Sequence, residues 1–241
     1  MFKYKGRSNK EMNLRVLNNI TFASPSRDVN AIQVPGRDGD LIMDNGRFNS
    51  VIRSVPCRLE ASDGANVEEL ISDLNNWLID DGGFHDFTWD NDPGFRYLAR
   101  VDEGLISQRV LSQYGNTTID FKLHPIKYLE SGLLEHQVTN GEVIANPFNI
   151  DAKPILKIQG ATSGGGDINI EIGGRRLTLR GMAASGCIID SESQTITDSA
   201  GRVTLFSIMR SPFPVLTEGA NRITIPNGVR VSIIPRFGRL I

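Results

Sequence analysis

The side chains able to do chemistry are few. Three histidines (His85, His124, His136) and two cysteines (Cys57, Cys187) are scattered through 241 residues, with no Cys-x-x-Cys or His-x-x-x-His pair. A zinc site takes three or four such ligands, usually in closely spaced pairs, so no metal centre is expected. Cys57 and Cys187 lie in different halves of the chain and read as small buried apolar residues, free thiols that suit a reducing compartment. His85 beside Asp86, near Asp80 and Asp81, has the makings of an acid–base pair, but no serine or cysteine nucleophile motif accompanies it. Asp90-Asn91-Asp92-Pro93-Gly94 opens like a calcium loop. Phe95 and Val101 then stand where an EF-hand needs Gly and Glu, which makes a turn the better reading. Ser163-Gly164-Gly165-Gly166 lacks the Lys-Ser/Thr of a phosphate loop and precedes a strand pattern, so it reads as an inter-strand loop. No catalytic residue, metal or cofactor is expected.

Composition points the same way. The 26 Lys+Arg against 28 Asp+Glu give a net charge of −2, without the basic excess by which nucleic-acid binders neutralise phosphates. Apolar residues at 39% together with 24 Gly describe a folded chain rich in turns. The N-terminal stretch MFKYKGRSNKEMN is followed by no apolar block, so no signal peptide is expected. No uninterrupted apolar run approaches a membrane span. The cationic groups Arg175-Arg176-Arg180 and Arg230-Arg236-Arg239 lack interleaved aromatics for base stacking and read as solvated sheet faces.

One helix and many strands position these residues. Val67, Leu70, Ile71, Leu74, Trp77 and Leu78 share one face at helical spacing, predicting a helix over residues 66–79. Asn66 and Glu69 form a capping box at its start, and Gly82-Gly83 supply a left-handed stop. Elsewhere the period is two. Val51, Arg53, Val55, Cys57 and Leu59 alternate with polar neighbours, and Pro56 marks that strand as an edge or a bulge. Phe95-Tyr97-Ala99-Val101 and Ile119-Phe121-Leu123 follow the same rule. Further on, a two-residue loop at Gly173-Gly174 sets Ile170 opposite Leu177, Ile168 opposite Leu179, Glu171 opposite Arg176 and Asp167 opposite Arg180. Apolar pairs then fall on one face and opposite charges on the other. A three-residue loop, Pro226-Asn227-Gly228, would likewise pair Ile225 with Val229 and Ile223 with Val231. The predicted class is mainly β with a minor α component: residues 1–137 a β-rich domain with one helix, residues 138–241 a β-sandwich. The boundary is read from the polar, turn-rich stretch 131–150.

One segment stays open on sequence physics alone. Val34, Pro35, Gly36, Arg37, Asp38, Gly39, Asp40 and Leu41 lie between the apolar strand residues Ile32 and Ile42. They form either a Gly/Pro turn or a loop whose Arg and Asp make charge-paired contacts with a neighbouring copy.

This VPGRDGDL segment resembles the N-terminal signature of siphophage distal tail (Dit) proteins. The similarity continues through VIRSVPCRLEA, NVEELISDLNNWLI and IDFKLHPIKYL. AKPILKIQG, INIEIGGRRLTL, IIDSESQTI, FPVLTEGANRITI and VRVSIIPRFGRL then arrive in the family's order. The stretch 198–209 matches no family phrase, and its role is open. The resemblance implies an N-terminal domain closing into a hexameric ring and a galectin-like C-terminal sandwich projecting outward. It implies a structural, non-enzymatic hub joining the distal end of the tail tube to the tail-tip proteins, with DNA passing through the lumen without specific binding. Partners would be other copies of the chain, the tail tube protein, a tail-associated tip protein and the tape-measure protein. The location would be the virion, after synthesis in the host cytoplasm. In that reading Val34 to Asp40 form an inter-subunit or tube-facing element. The competing class is a carbohydrate-binding module for host adhesion. Against it, both Trp and all four Tyr precede residue 138, leaving the C-terminal half without the aromatic platform that sugar faces require.

Overall fold

The computed structural model describes residues 1–17, 20, 23–60, 67–79, 81–102, 107–111, 114–162 and 166–241. The chain forms two units, one of Met1–Lys127 with Leu240–Ile241 and one of Tyr128–Arg239. The boundary expected between residues 137 and 138 lies inside the second unit, because the turn-rich stretch that suggested it supplies two of that unit's strands.

The first unit holds β1 (Phe2–Tyr4), β2 (Arg7–Ser8), β3 (Leu14–Val16), β4 (Arg27–Ile32), β5 (Leu41–Phe48) and β6 (Val51–Glu60). Helix α1 (Val67–Leu78) follows, then β7 (His85–Trp89), β8 (Phe95–Val101), β9 (Ser107–Leu111) and β10 (Tyr114–Leu123). Its main sheet runs β2-β1-β7-β8-β10-β6-β3, with β9 on β10. The longest ladder joins β6 to β10, from Val51 opposite Leu123 to Glu60 opposite Tyr114. Burial alternates along β6 as the period-two pattern predicts, with Val51, Val55, Cys57 and Leu59 inside. Pro56 is not on an edge strand. β6 lies between β10 and β3, and the Pro56 carbonyl accepts from Leu17 just past the end of β3. Its missing N–H therefore points where the neighbouring strand has already stopped.

Helix α1 presses Leu74, Trp77 and Leu78 into this core, with Leu70 and Ile71 packed at its margin. Each fully buried leucine contributes about 1.5–3 kcal/mol. The Trp77 indole N–H donates to the Tyr4 carbonyl at 3.2 Å, and the Trp77 ring stacks on Phe2. The expected cap residue Asn66 lies outside the described residues. Gly82 and Gly83 are not left-handed; the helix ends at Leu78, and the Asp81 carboxylate accepts from the Gly83 amide in the bend beyond.

β11 (Ile126–Leu129) carries the chain into the second unit and β21 (Gly238–Leu240) carries it back. Between them lie β12 (His136–Val138), β13 (Val143–Asn146), β14 (Ile155–Gly160), β15 (Ile168–Ile172) and β16 (Arg175–Leu179). β17 (Cys187–Asp190), β18 (Thr195–Asp198), β19 (Gly219–Thr224) and β20 (Val229–Ile234) complete the unit. Two sheets, β12-β20-β14-β17-β18 and β13-β19-β15-β16, enclose one apolar core, which makes this unit a β-sandwich. The β15–β16 register is as predicted, with both turn glycines at positive φ and ion pairs Glu171–Arg176 and Asp167–Arg180 on the outer face. The second predicted hairpin is a different object. β19 and β20 lie in opposite sheets, and Pro226-Asn227-Gly228 arches between them. Alternation buries the same residues in either arrangement, so it cannot tell a hairpin from an arch.

Arg236, left-handed at φ 56°, donates to Asp190 from both terminal guanidinium nitrogens, at 2.6 and 3.0 Å. Burial pushes the Asp190 carboxyl up, but the Arg236 hydrogen bonds and charge outweigh this and hold it below its ordinary value. A depressed folded pKa stabilises the native state above the ordinary carboxylate value, and that support is lost as pH falls through the folded value. Arg236→Ala should therefore cost about 1–3 kcal/mol at neutral pH and weaken the acid sensitivity of unfolding. Thermal melts of wild type and variant at neutral and acidic pH check this; equal neutral-pH midpoints would contradict it.

Candidate assembly interface

β4 and β5 form a two-stranded sheet that, among the described residues, pairs with no other strand. An isolated hairpin of this kind is marginal in water, because nothing shields its backbone bonds or buries its faces. Its basal half is held by charge. Arg27 Nε donates to Asp44 at 2.9 Å, Arg47 Nε donates to Asp28, and the Arg27 guanidinium lies over the Phe48 ring. The Asp44 carboxyl sits below its ordinary value because the Gly46 amide donates to it, and Asp28 does so because of the Arg47 hydrogen bond. All of these groups lie near the surface, where ion pairs contribute little to stability.

The distal half is apolar and exposed. Val29, Ile32, Val34, Leu41, Ile42 and Met43 are six of the thirteen large hydrophobic residues exposed among the described residues, with Ile42 at 56% and Met43 at 53%. This clustering separates them from the scattered exposed apolar residues that any surface carries. Register places them on both sides of the ribbon. Ile32 faces Leu41, and Asn30 faces Met43, on one side; Ala31 faces Ile42, with Val29 beyond, on the other. A strand pair apolar on both faces is the pattern of a ribbon covered on both faces.

The eight residues singled out by sequence lie together at the tip of this arm. The Arg37 amide donates to the Val34 carbonyl at 3.1 Å, and Gly36 and Gly39 take the positive φ values of 81° and 74° that the turn requires. Val34 to Asp40 are exposed throughout. The sequence reading identified the tip and its flanking strands. It did not identify that Met43 and Ile42 make opposite faces of the ribbon apolar, although three consecutive apolar residues, Leu41-Ile42-Met43, were the available signal.

The other candidates serve structure. Asp92, in the turn after β7, receives hydrogen bonds from the Tyr97 hydroxyl and the Lys127 ammonium. Burial pushes its carboxyl up, but those bonds hold it below its ordinary value, while burial and Asp92 push the Tyr97 phenol up to about 12. Arg53, on the inward face of β6, lies over the Tyr97 ring at 5.2 Å. His85 pairs with Asp81 at 2.5 Å, and Asp86 with Arg96; Asp80 and residues 163–165 lie outside the described residues. Cys57 and Cys187 are free and buried, with burial pushing both thiols up to about 12. Both tryptophans pack in the core of the first unit. Among the described residues no group of three His, Cys, Asp or Glu could hold a metal ion, and no helix is long and apolar enough to cross a membrane.

No protein family and no curated protein matches the sequence. Solved structures do. The chain superposes on the Dit protein (gp 19.1) of phage SPP1, described as a paradigm of the hub adsorption apparatus of phages infecting Gram-positive bacteria. The TM-score is 0.73 at 14% identity, covering 96% of both chains. Over 96% of its length the chain has the SPP1 Dit fold. A component of the phage p2 baseplate in its strontium-activated conformation also matches, at TM-score 0.50 and 10% identity over 95% of this chain and 91% of that one. The coverage takes in both units.

The geometry of the arm makes one measurement decisive. In the isolated chain, amides of β4 and β5 should exchange with solvent through local opening, while those of β6 and β10 exchange only on global unfolding. Hydrogen-exchange mass spectrometry reads this, and equal protection of the two segments would show that the arm is stable without a partner.

Proposed function

We propose that this chain is a structural, non-enzymatic hub subunit of a phage tail tip. In this reading copies of the first unit close into a hexameric ring at the distal end of the tail tube. The ring holds the tail-tip and host-recognition proteins and leaves a lumen for DNA. The observation that carries the reading is the SPP1 Dit fold over 96% of the chain, joined to an arm whose apolar faces have no cover among the described residues. A closed cyclic ring uses two different patches per subunit, and a projecting ribbon is one such patch. Val34, Pro35, Gly36, Arg37, Asp38, Gly39 and Asp40 at its tip would then contact the neighbouring copy or the tail tube. A net charge of −2 suits a lumen that lets DNA slide, since strong retention requires clustered cationic contacts. The tail tube, tip and tape-measure proteins are the partners that this reading assigns, and the virion is its location.

Purified wild-type chain should give rings in negative-stain images and a hexamer mass by light scattering. Ile42→Glu with Met43→Glu should abolish the ring, and Arg37→Ala or Asp38→Ala should weaken it, each without lowering the unfolding temperature. A wild-type chain that stays monomeric at every concentration overturns the ring. An unchanged ring population in all these variants removes the arm from its interface.

A further inference from the structure

The stretch that follows β18 covers half of a sheet edge in the second unit and leaves the other half open. β16 is the outer strand of its sheet, and among the described strands it pairs with β15 alone. Residues 208–211 run antiparallel along its free side. The Arg180 amide donates to the Ile208 carbonyl at 2.7 Å, the Arg210 amide to the Thr178 carbonyl at 2.9 Å, and Leu179 bridges Met209. The pairing then stops for a chemical reason. Ser211 Oγ takes the Thr178 amide at 3.1 Å, and continued register places Pro212 opposite Arg176. Proline has no N–H to give the Arg176 carbonyl. In an antiparallel strand every second residue directs both backbone groups to the same side. Arg176 therefore turns its amide and carbonyl outward, as Thr178 and Arg180 do.

A groove of about 420 Å³ opens at this point, lined by Ile172, Leu177, Phe213 and Pro214 with Arg175, Arg176 and Pro212. Ile172, Leu177 and Pro214 are buried and form an apolar floor, while both arginines are exposed. Arg176 has Glu171 at 3.6 Å, which leaves Arg175 as a net positive charge on the rim. The combination is an open strand edge, an apolar notch for one side chain and a guanidinium beside it. An extended peptide supplies backbone partners for such an edge, and a carboxylate on it supplies the partner for Arg175.

We infer that this notch binds an extended, acidic segment of a partner protein, which adds to the free half of β16 and places an apolar side chain on the Ile172–Leu177–Phe213–Pro214 floor. The inference stands independently of the ring. It gives residues 208–214 a role: they close the edge as far as Thr178 and leave Arg176 accessible.

The test uses the full chain and a fluorescein-labelled peptide of alternating valine and glutamate, followed by fluorescence anisotropy. The acidic peptide should bind, and its valine–lysine counterpart should not. Arg175→Glu should weaken binding by about tenfold or more, while Arg230→Glu, an equal charge reversal on the other sheet, should leave it unchanged. Hydrogen exchange of the Arg176 amide should slow about tenfold when peptide saturates the protein. Equal binding of both peptides, an unaltered affinity in Arg175→Glu, or an Arg176 amide that exchanges at the same rate would overturn the inference. Equal binding of an oligothymidylate of matching length would replace a peptide site with a simple anion patch.

Discussion

The antiparallel ladder between β6 and β10 is the constraint on which the first unit depends. It runs for ten consecutive residue pairs, Val51–Glu60 against Tyr114–Leu123, and both departures from the sheet are tied to its ends. The arm enters β6 through Asn49, whose amide donates to the Ser26 carbonyl at 2.9 Å, and α1 follows after β6 ends at Glu60. Because the ladder fixes which residues of β6 face inward, it also obliges Arg53 to lie inside. A buried guanidinium needs compensating partners, and the Tyr97 ring beneath it belongs to a network that Asp92 and Lys127 complete. Asp92 of the Asp90–Gly94 turn is thus engaged in this network.

The two units solve the problem of sheet edges differently. In the second, half of the β16 edge is covered by a segment of the same chain, and proline ends the cover where the arginines begin. In the first, the β4–β5 ribbon leaves its edges and both faces uncovered among the described residues. Exposed edges and apolar faces are hazards for a free subunit and assets for an assembling one. The charges at the base of the arm, Arg27, Asp28, Asp44 and Arg47, keep that part soluble and confine the apolar surface to the distal half.

What could be read from residues depended on whether a pattern had one structural solution. The β15–β16 hairpin was legible because Gly173-Gly174, the apolar pairs and the opposite charges all demand the same register. Helix α1 was legible because Leu74, Trp77 and Leu78 recur at helical spacing beside other apolar residues. The connection between Ile225 and Val229 was not, since alternating burial is satisfied equally by strands in one sheet and in two. Pro56 misled because an interior strand tolerates proline wherever its neighbour has already ended, a fact of three-dimensional register. At the arm, Val34 to Asp40 were legible as a turn through their Gly, Pro and charged residues. The apolar faces beside them were missed because a strand buried in its own domain and one left exposed can carry the same residues.

The return of Leu240 and Ile241 to the first unit bears on the order of synthesis. The Ile241 amide donates to the Pro125 carbonyl at 3.1 Å, and its side chain packs at the margin of the first unit's core. The second unit is therefore an insertion, translated in full before the first can be finished. The arm emerges from the ribosome early, whereas the residues that latch the unit bearing it emerge nearly two hundred positions later. The β4–β5 ribbon and the terminal residues that close the contacts of its unit are thus made far apart in time, with strands β12 to β20 of the second unit made between them.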